Sequence, residues 1–270
     1  MLEHHYFTGF DVSPRAAVNL TVTPGHVIRL GVSRAYRSPT FFEELGNQVV
    51  MTETGAVADL VTVPSGGLKP EHIRSREIGY VGHWQPLRLE LDMRLYQDKI
   101  DNFIARVRTK STSDVAGSFQ PKVFTAANIG SVDSQGGEIQ LRWRPNRALD
   151  LSAHYARVFL STDTQDSTFR RDIPLSAPRN SWGLLANYQL GNGWETSLGA
   201  WHSDVQKWLT EGDITPAFTR VDVRLARHWT WQGHKVEAAV VGQNLGDPYQ
   251  EFRDTNIFSR RVYGSLSLGW

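Results

Sequence analysis

The sequence predicts an all-β fold, a transmembrane antiparallel β-barrel of about eleven strands, and three observations carry that expectation. Apolar side chains recur at every second position through most of the chain. Five short turns bearing Pro or Gly alternate with five much longer polar loops. No apolar run approaches the roughly 18 residues of a helical span, whereas a tilted strand of about 9 to 11 residues crosses a bilayer. Barrel strands alternate polar and apolar by their nature, so a mean hydropathy of -0.37 is compatible with them.

The elements follow in order from about Val12. The first short turn is Thr23-Pro24-Gly25-His26, and the strand after it runs to the long loop from Arg37 to Pro70. Pro39 ends that strand by removing a backbone donor. The next turn is Trp84-Gln85-Pro86, and the segment from Leu87 has the clearest pattern: Leu87, Leu89, Leu91, Met93 and Leu95 alternate with Arg88, Glu90, Asp92, Arg94 and Tyr96. A strand sends these two sets to opposite faces, and a one-residue slip would exchange them. At about 2 to 4 kcal/mol for an Arg at the bilayer midplane, that exchange is forbidden and the register is fixed. After the loop from Arg106 to Lys122, Ile139, Leu141 and Trp143 alternate with Glu138, Gln140 and Arg142. The turn Arg144-Pro145-Asn146-Arg147 leads to Leu149, Leu151, Ala153 and Tyr155, opposed by Asp150, Ser152, His154 and Ala156. Beyond the loop from Ser161 to Asp172 come Trp182, Leu184, Ala186 and Tyr188, then the turn Leu190-Gly191-Asn192-Gly193. The loop from Gln206 to Pro216 precedes Val221, Val223 and Leu225, which alternate with Arg220, Asp222 and Arg224. The turn Trp231-Gln232-Gly233-His234, the row Val236, Ala238 and Val240, and a loop from Gly246 to Ser259 complete the rhythm.

Short turns belong at the periplasmic end of such barrels and long loops at the cell surface, so the rhythm also sets topology. Trp84, Trp143, Trp194, Trp229 and Trp231 lie close to the short turns, where an interfacial aromatic girdle forms. A soluble β-sandwich would use them as core, but its strands are usually about 5 or 6 residues long and need no charged row opposite each apolar one. Bacterial single-chain barrels have even strand numbers. An odd count therefore predicts part of a barrel, because open edges in lipid leave backbone groups unsatisfied. Residues 1–6 carry no basic segment followed by an apolar core, so either the secretory signal that a membrane destination requires lies upstream or the membrane reading fails.

Bulk properties exclude little else. The 270 residues form one continuous pattern, and a net charge of +1 with interleaved signs points to no nucleic-acid partner. Cysteine is absent, which removes disulfides and thiolate metal sites.

Several local motifs then occur in a recognisable order. Ser13-Pro14-Arg15 precedes a strand, and Ser33-Arg34-Ala35-Tyr36-Arg37-Ser38-Pro39 follows on the next. Leu68-Lys69-Pro70-Glu71 leads to Glu77-Ile78-Gly79-Tyr80, and Tyr96-Gln97-Asp98-Lys99-Ile100 to Asn102-Phe103-Ile104. Asn128-Ile129-Gly130, Gln135-Gly136-Gly137-Glu138, Gln243-Asn244-Leu245-Gly246-Asp247 with Tyr249, and Arg260-Arg261-Val262-Tyr263 complete the set. In this order they resemble the carboxy-terminal half of a TonB-dependent outer-membrane receptor of the siderophore type, whose plugged barrel has about 22 strands. The resemblance implies energised uptake of a ferric siderophore or similar bulky nutrient across the bacterial outer membrane, with no enzymatic activity, cofactor or resident metal. Its partners would be outer-membrane lipid, the TonB-ExbB-ExbD system and the barrel-assembly machinery. Val262, Leu266, Leu268 and Trp270 resemble the signal that this machinery reads, with Gly264 as a departure. Neither a plug domain nor a TonB box is recognisable, so the chain is expected to be a fragment, not competent alone. The alternative is a self-contained outer-membrane porin or protease.

Anionic or aromatic ligands favour Arg and aromatic side chains on surface loops. The candidates by topology are Tyr36, Arg37, Phe41, Phe42, Arg106, Trp208, Tyr249, Phe252, Arg253 and Arg260. Tyr36-Arg37-Ser38-Pro39 resembles a haem-receptor box, but no histidine lies between Pro39 and Pro70, which disfavours haem. His202-Ser203-Asp204 would be hydrolytic only with a positioned nucleophile. His4-His5 beside Glu3, and His234, lack metal-ligand spacing.

Overall fold

The structure is a computed structural model that describes residues 1–55, 57–109, 122–209 and 212–269. Its main element is an eleven-stranded antiparallel sheet. The strands, in chain order, are β1 (Arg15–Thr23), β2 (His26–Arg37), β3 (Glu71–Trp84), β4 (Leu89–Asp101), β5 (Val132–Trp143), β6 (Leu149–Thr162), β7 (Asn180–Gly191), β8 (Trp194–Ser203), β9 (Phe218–Trp231), β10 (His234–Gln243) and β11 (Arg261–Gly269). Each pairs with its neighbour in sequence, and β1 and β11 form the two edges of an unclosed sheet. No helix among the described residues is long and apolar enough to cross a membrane.

The turns form where local chemistry demands them. Asn192 and Gly193 have φ of 50° and 77°, and Gln232 and Gly233 have 50° and 84°. Two successive positive φ values suit the right-handed twist of paired strands. At Gly193 a Cβ would come within 2.1 Å of the His228 carbonyl oxygen, so the turn is closed to larger residues. The turn after β3 differs from expectation in one detail. Gln85–Leu87 form a single 3-10 turn and Arg88 is left-handed at φ 51°, so β4 begins at Leu89 and Leu87 falls in the turn. Pro86 sets the tight turn and removes a ladder donor there.

The register divides the side chains as the alternation requires. On one face Leu89 lies opposite Trp143, Trp143 opposite Leu151, Leu151 opposite Ala186, and Ala186 opposite Leu198. These apolar residues are not enclosed: Leu95 is 61 % exposed, Leu198 51 % and Leu266 74 %. The opposite face is ionic. Arg94 bridges Glu77 at 3.3 Å and Glu138 at 3.2 Å, and Arg224 bridges Glu195 at 3.0 Å and Glu237 at 2.6 Å. Such half-exposed pairs add little stability each, but they complete a wet wall.

Long loops occupy one end of the sheet and short turns the other. Between β2 and β3 lies α1 (Phe41–Leu45), and between β6 and β7 lies α2 (Ser167–Asp172). Strand segments Gln48–Met51, Val57–Thr62, Ile104–Thr109 and Lys122–Asn128 form a separate four-stranded loop sheet. The small apolar core sits at this end, where Ala105, Val132, Phe169 and Ile173 pack together. Small hairpins, Gln206–Lys207 with Ile214–Thr215 and Tyr249–Glu251 with Arg253–Phe258, crown the last strands.

Candidate functional site

All ten candidate residues lie at the loop end, and the structure sorts them into anchored and free groups. Arg37, the last residue of β2, is anchored. Its guanidinium donates to both oxygens of Glu71, at 2.6 and 2.9 Å, and to Glu43 at 3.0 Å. Glu71 also accepts the Ile104 amide at 2.7 Å, so this carboxylate ties β2 to the loop sheet. Glu43 belongs to the capping box of α1, accepting the Thr40 amide at 2.8 Å while the Thr40 hydroxyl accepts the Glu43 amide. The neighbouring Glu44 is buried and accepts the amides of Gly67 and Leu68, pinning the rest of the β2–β3 loop. Tyr36 lies beside His72, with ring centroids 5.8 Å apart, and Arg34 sits over its ring. Phe41 and Phe42 remain exposed, and Phe41 packs edge-on against Phe7 at 5.0 Å.

A second anchored group closes the last loop. Tyr249 is buried, stacked on Phe218 at 4.1 Å and 6°, with Phe258 at 5.4 Å behind it. Arg220 and Arg261 both lie over the Phe258 ring, at 4.9 and 4.4 Å. Arg220 is held in turn by a forked pair with Asp222, which also accepts the Asn244 amide. Burial pushes the Tyr249 phenol above its ordinary pKa, so it stays neutral and donates to Glu251 at 3.2 Å. Arg260 donates to the Leu245 carbonyl at 2.8 Å, and Arg106 lies over Phe124 at 4.3 Å while donating to Thr62.

The free group is Trp208, Phe252 and Arg253. Trp208 meets Phe252 edge-on at 5.6 Å, and Arg253 lies over the Phe252 ring at 5.1 Å. Trp208 is 58 % exposed. Together these three offer π faces and a cation, the chemistry that holds an anionic aromatic ligand. No ring contact or hydrogen bond among the described residues joins this group to Phe41 and Phe42.

Sequence reasoning missed Phe218, Arg220 and Phe258 as partners of Tyr249. The signal was present in part, since Arg220 falls on the charged row of its strand. The His202-Ser203-Asp204 motif does not form a nucleophile and base. His202 contacts Asp204 at 3.2 Å and Thr219 at 2.8 Å, while the Ser203 hydroxyl donates to the Asp204 carbonyl. Carboxylates instead pin loop roots. Asp163 accepts the Ser131 amide at 2.6 Å, and that bond holds its carboxyl below the ordinary range. The Asn180 side-chain amide does the same for Asp204. Val262, Leu266 and Leu268 share the apolar face of edge strand β11, and Trp270 lies outside the described residues.

Comparison with known proteins agrees with this geometry. Residues 3–245 match the family model described as TonB dependent receptor-like, beta-barrel. No curated protein matches the chain. Among solved structures, the siderophore receptor PirA from Acinetobacter baumannii superposes with a TM-score of 0.70 at 15% identity, over 98% of this chain and 42% of that one. The ferric enterobactin receptor PfeA from Pseudomonas aeruginosa gives 0.72 at 15% identity, over 99% and 42%. The ferric-catecholate import receptor Fiu from E. coli K12 gives 0.68 at 15% identity, over 97% and 35%. The chain thus spans less than half the length of these relatives.

Proposed function

The chain belongs to the TonB-dependent receptor-like β-barrel family, and from that premise we propose that it forms one half of the wall of an outer-membrane receptor for a ferric siderophore or similar bulky nutrient. One observation carries this reading: eleven consecutive antiparallel strands with an apolar face, an ionic face and two unpaired edges. Edges of this kind require further strands in lipid, where no water satisfies them. The apolar face meets the bilayer and the ionic face lines a wet lumen. The turn end faces the periplasm, the loop end faces the cell surface, and a plug supplied by the rest of the receptor fills the lumen.

Ligand capture falls to the loop end. Trp208 presents an exposed ring beside the partly buried Phe252 and the Arg253 cation, and Phe41 and Phe42 add a second exposed aromatic surface. Arg37, Tyr249 and Arg260 shape the loops that carry them. The relatives named above for ferric enterobactin and ferric catecholates make an anionic, aromatic iron chelate the first ligand class to test. Uptake would draw on TonB-ExbB-ExbD, and insertion on the barrel-assembly machinery.

The test is growth and labelled-iron uptake by a strain lacking the intact gene, under iron starvation with catecholate chelates supplied one at a time. Impaired uptake of at least one chelate, restored by the intact gene, is the expected result. Unchanged growth and uptake with every chelate would contradict this ligand class.

A further inference from the structure

Trp208 and Phe252 meet from two different loops, and neither belongs to the buried apolar core. The bonds that aim them begin on a third loop, at Asp172, the last residue of α2. That helix is firmly seated, because Phe169 and the following Ile173 are both buried in the core under the loops. Asp172 is only 1 % exposed, and it accepts from Lys207 at 2.7 Å and from Arg171 at 2.9 Å. Burial alone would favour its neutral acid, yet the two cations hold the carboxyl below its ordinary range, so the bond to Lys207 is ionic.

Lys207 stands immediately before Trp208, and Leu209 immediately after it packs against the same core as α2. Alternate side chains of an extended segment point to opposite sides. With Lys207 and Leu209 both engaged inward, Trp208 between them is turned out, as its exposure shows. The same hairpin also holds the partner ring. The Asp213 amide donates to the Phe252 carbonyl at 2.8 Å, the Asp213 carboxylate accepts the Asp254 amide at 3.0 Å, and the Gln250 side-chain amide donates to the Ile214 carbonyl at 3.3 Å. Gly212 permits this approach, since its φ is 70° and a Cβ there would lie 2.8 Å from the Phe252 carbonyl oxygen. The loops after β6, β8 and β10 are thereby joined into one support beneath Trp208, Phe252 and Arg253.

We propose that Asp172 is a positioning residue for ligand capture: through Lys207 it sets the direction of Trp208, and so the spacing of the Trp208, Phe252 and Arg253 surface, without touching the ligand itself. The inference rests on the reading of the loop end as the capture surface. Removing either member of a buried ion pair leaves the other charge uncompensated, so loss of Asp172 or of Lys207 would release the hairpin from α2.

The experiment uses the intact receptor, with ferric enterobactin as the probe chelate and heat-dependent gel mobility as the check on folding. A spin label on Trp208→Cys, in a receptor otherwise free of cysteine, reports the order of this segment by its resonance line shape with no chelate present. Asp172→Asn and Lys207→Met should each sharpen that line by releasing the segment. Lys207→Arg should recover the parent's line, and a label on Phe41→Cys should not respond to any of the three. In calorimetry Asp172→Asn should weaken chelate binding about tenfold, as loss of an aromatic anchor does. In a Trp208→Ala background it should cost nothing further, because both changes remove the same interaction. If Asp172→Asn gives no folded barrel, Lys207→Met carries the same test from the hairpin side. A line at position 208 unchanged by either variant, or a cost undiminished in the Trp208→Ala background, would overturn the proposal. A parent receptor that leaves ferric enterobactin unbound while the line still sharpens would count against the ligand class alone, whereas a bound chelate with an unmoved line would count against Asp172 alone.

Discussion

Arg37 and Trp208 show how differently two exposed-loop candidates behave once the chain is folded. Arg37 is engaged by two carboxylates, one of which also carries the Ile104 amide. Trp208 touches Phe252 and otherwise faces outward. Trp208→Ala should therefore weaken binding of the cognate chelate by about tenfold, the usual cost of truncating an aromatic anchor at an interface. Arg37→Ala should leave affinity nearly unchanged while speeding amide exchange at Ile104, because Glu71 loses the cation that fixes it. Titration calorimetry on the intact receptor with its chelate, read beside hydrogen exchange, checks both. The reverse pattern would make Arg37 the ligand contact. This distinction was not legible in the sequence. Glu71 is 34 residues from Arg37, and only the pairing of β2 with β3 brings them together. Tyr249 is a similar case, since its burial depends on Phe218 from another strand.

At the scale of elements, strands and turns were legible and loop architecture was not. A strand's period of two is local, so the rows from Leu89 to Leu95 and from Val221 to Leu225 could be read directly. Turn positions followed from Pro24-Gly25, Asn192-Gly193 and Gln232-Gly233 for equally local reasons. The loop sheet joins segments on either side of β3 and β4, and no short-range pattern announces such pairing. Loop roots depend on single charged groups, which makes them sensitive to acid. The Ser131 amide favours the ionised form of Asp163, so the folded pKa lies below the unfolded one. The contribution is then fully present above the ordinary Asp value of about 3.9 and is lost as pH falls through the lower folded value. Asp163→Ala should speed exchange of the Ser131 amide several-fold at pH 7. The variant and the parent should converge only below about pH 4. A difference that faded between pH 5 and 7 would assign the root to another group.

At the scale of the molecule, the distribution of oil and charge is inverted relative to a water-soluble protein. The small buried cluster sits under the loops, whereas the regular sheet leaves aliphatic side chains uncovered on one face and ion pairs on the other. In water those aliphatic rows would drive aggregation, and in lipid they are the surface that holds the sheet. Charge on that face is sparse: Arg34, Arg74, Arg76 and Lys99 stand toward its loop end, and Arg227 lies over Trp194 toward its turn end.

The chain contains no cysteine, so a single one can be placed at each position from Leu89 to Tyr96 of the intact receptor and spin-labelled in vesicles. Paramagnetic resonance then measures access to oxygen, which partitions into lipid, against access to a water-soluble nickel chelate. Oxygen access should dominate at positions 89, 91, 93 and 95, and nickel access at 90, 92, 94 and 96, with a strict period of two. Uniform access along the strand, or the two sets exchanged, would contradict a wall that is oily toward the membrane and ionic within.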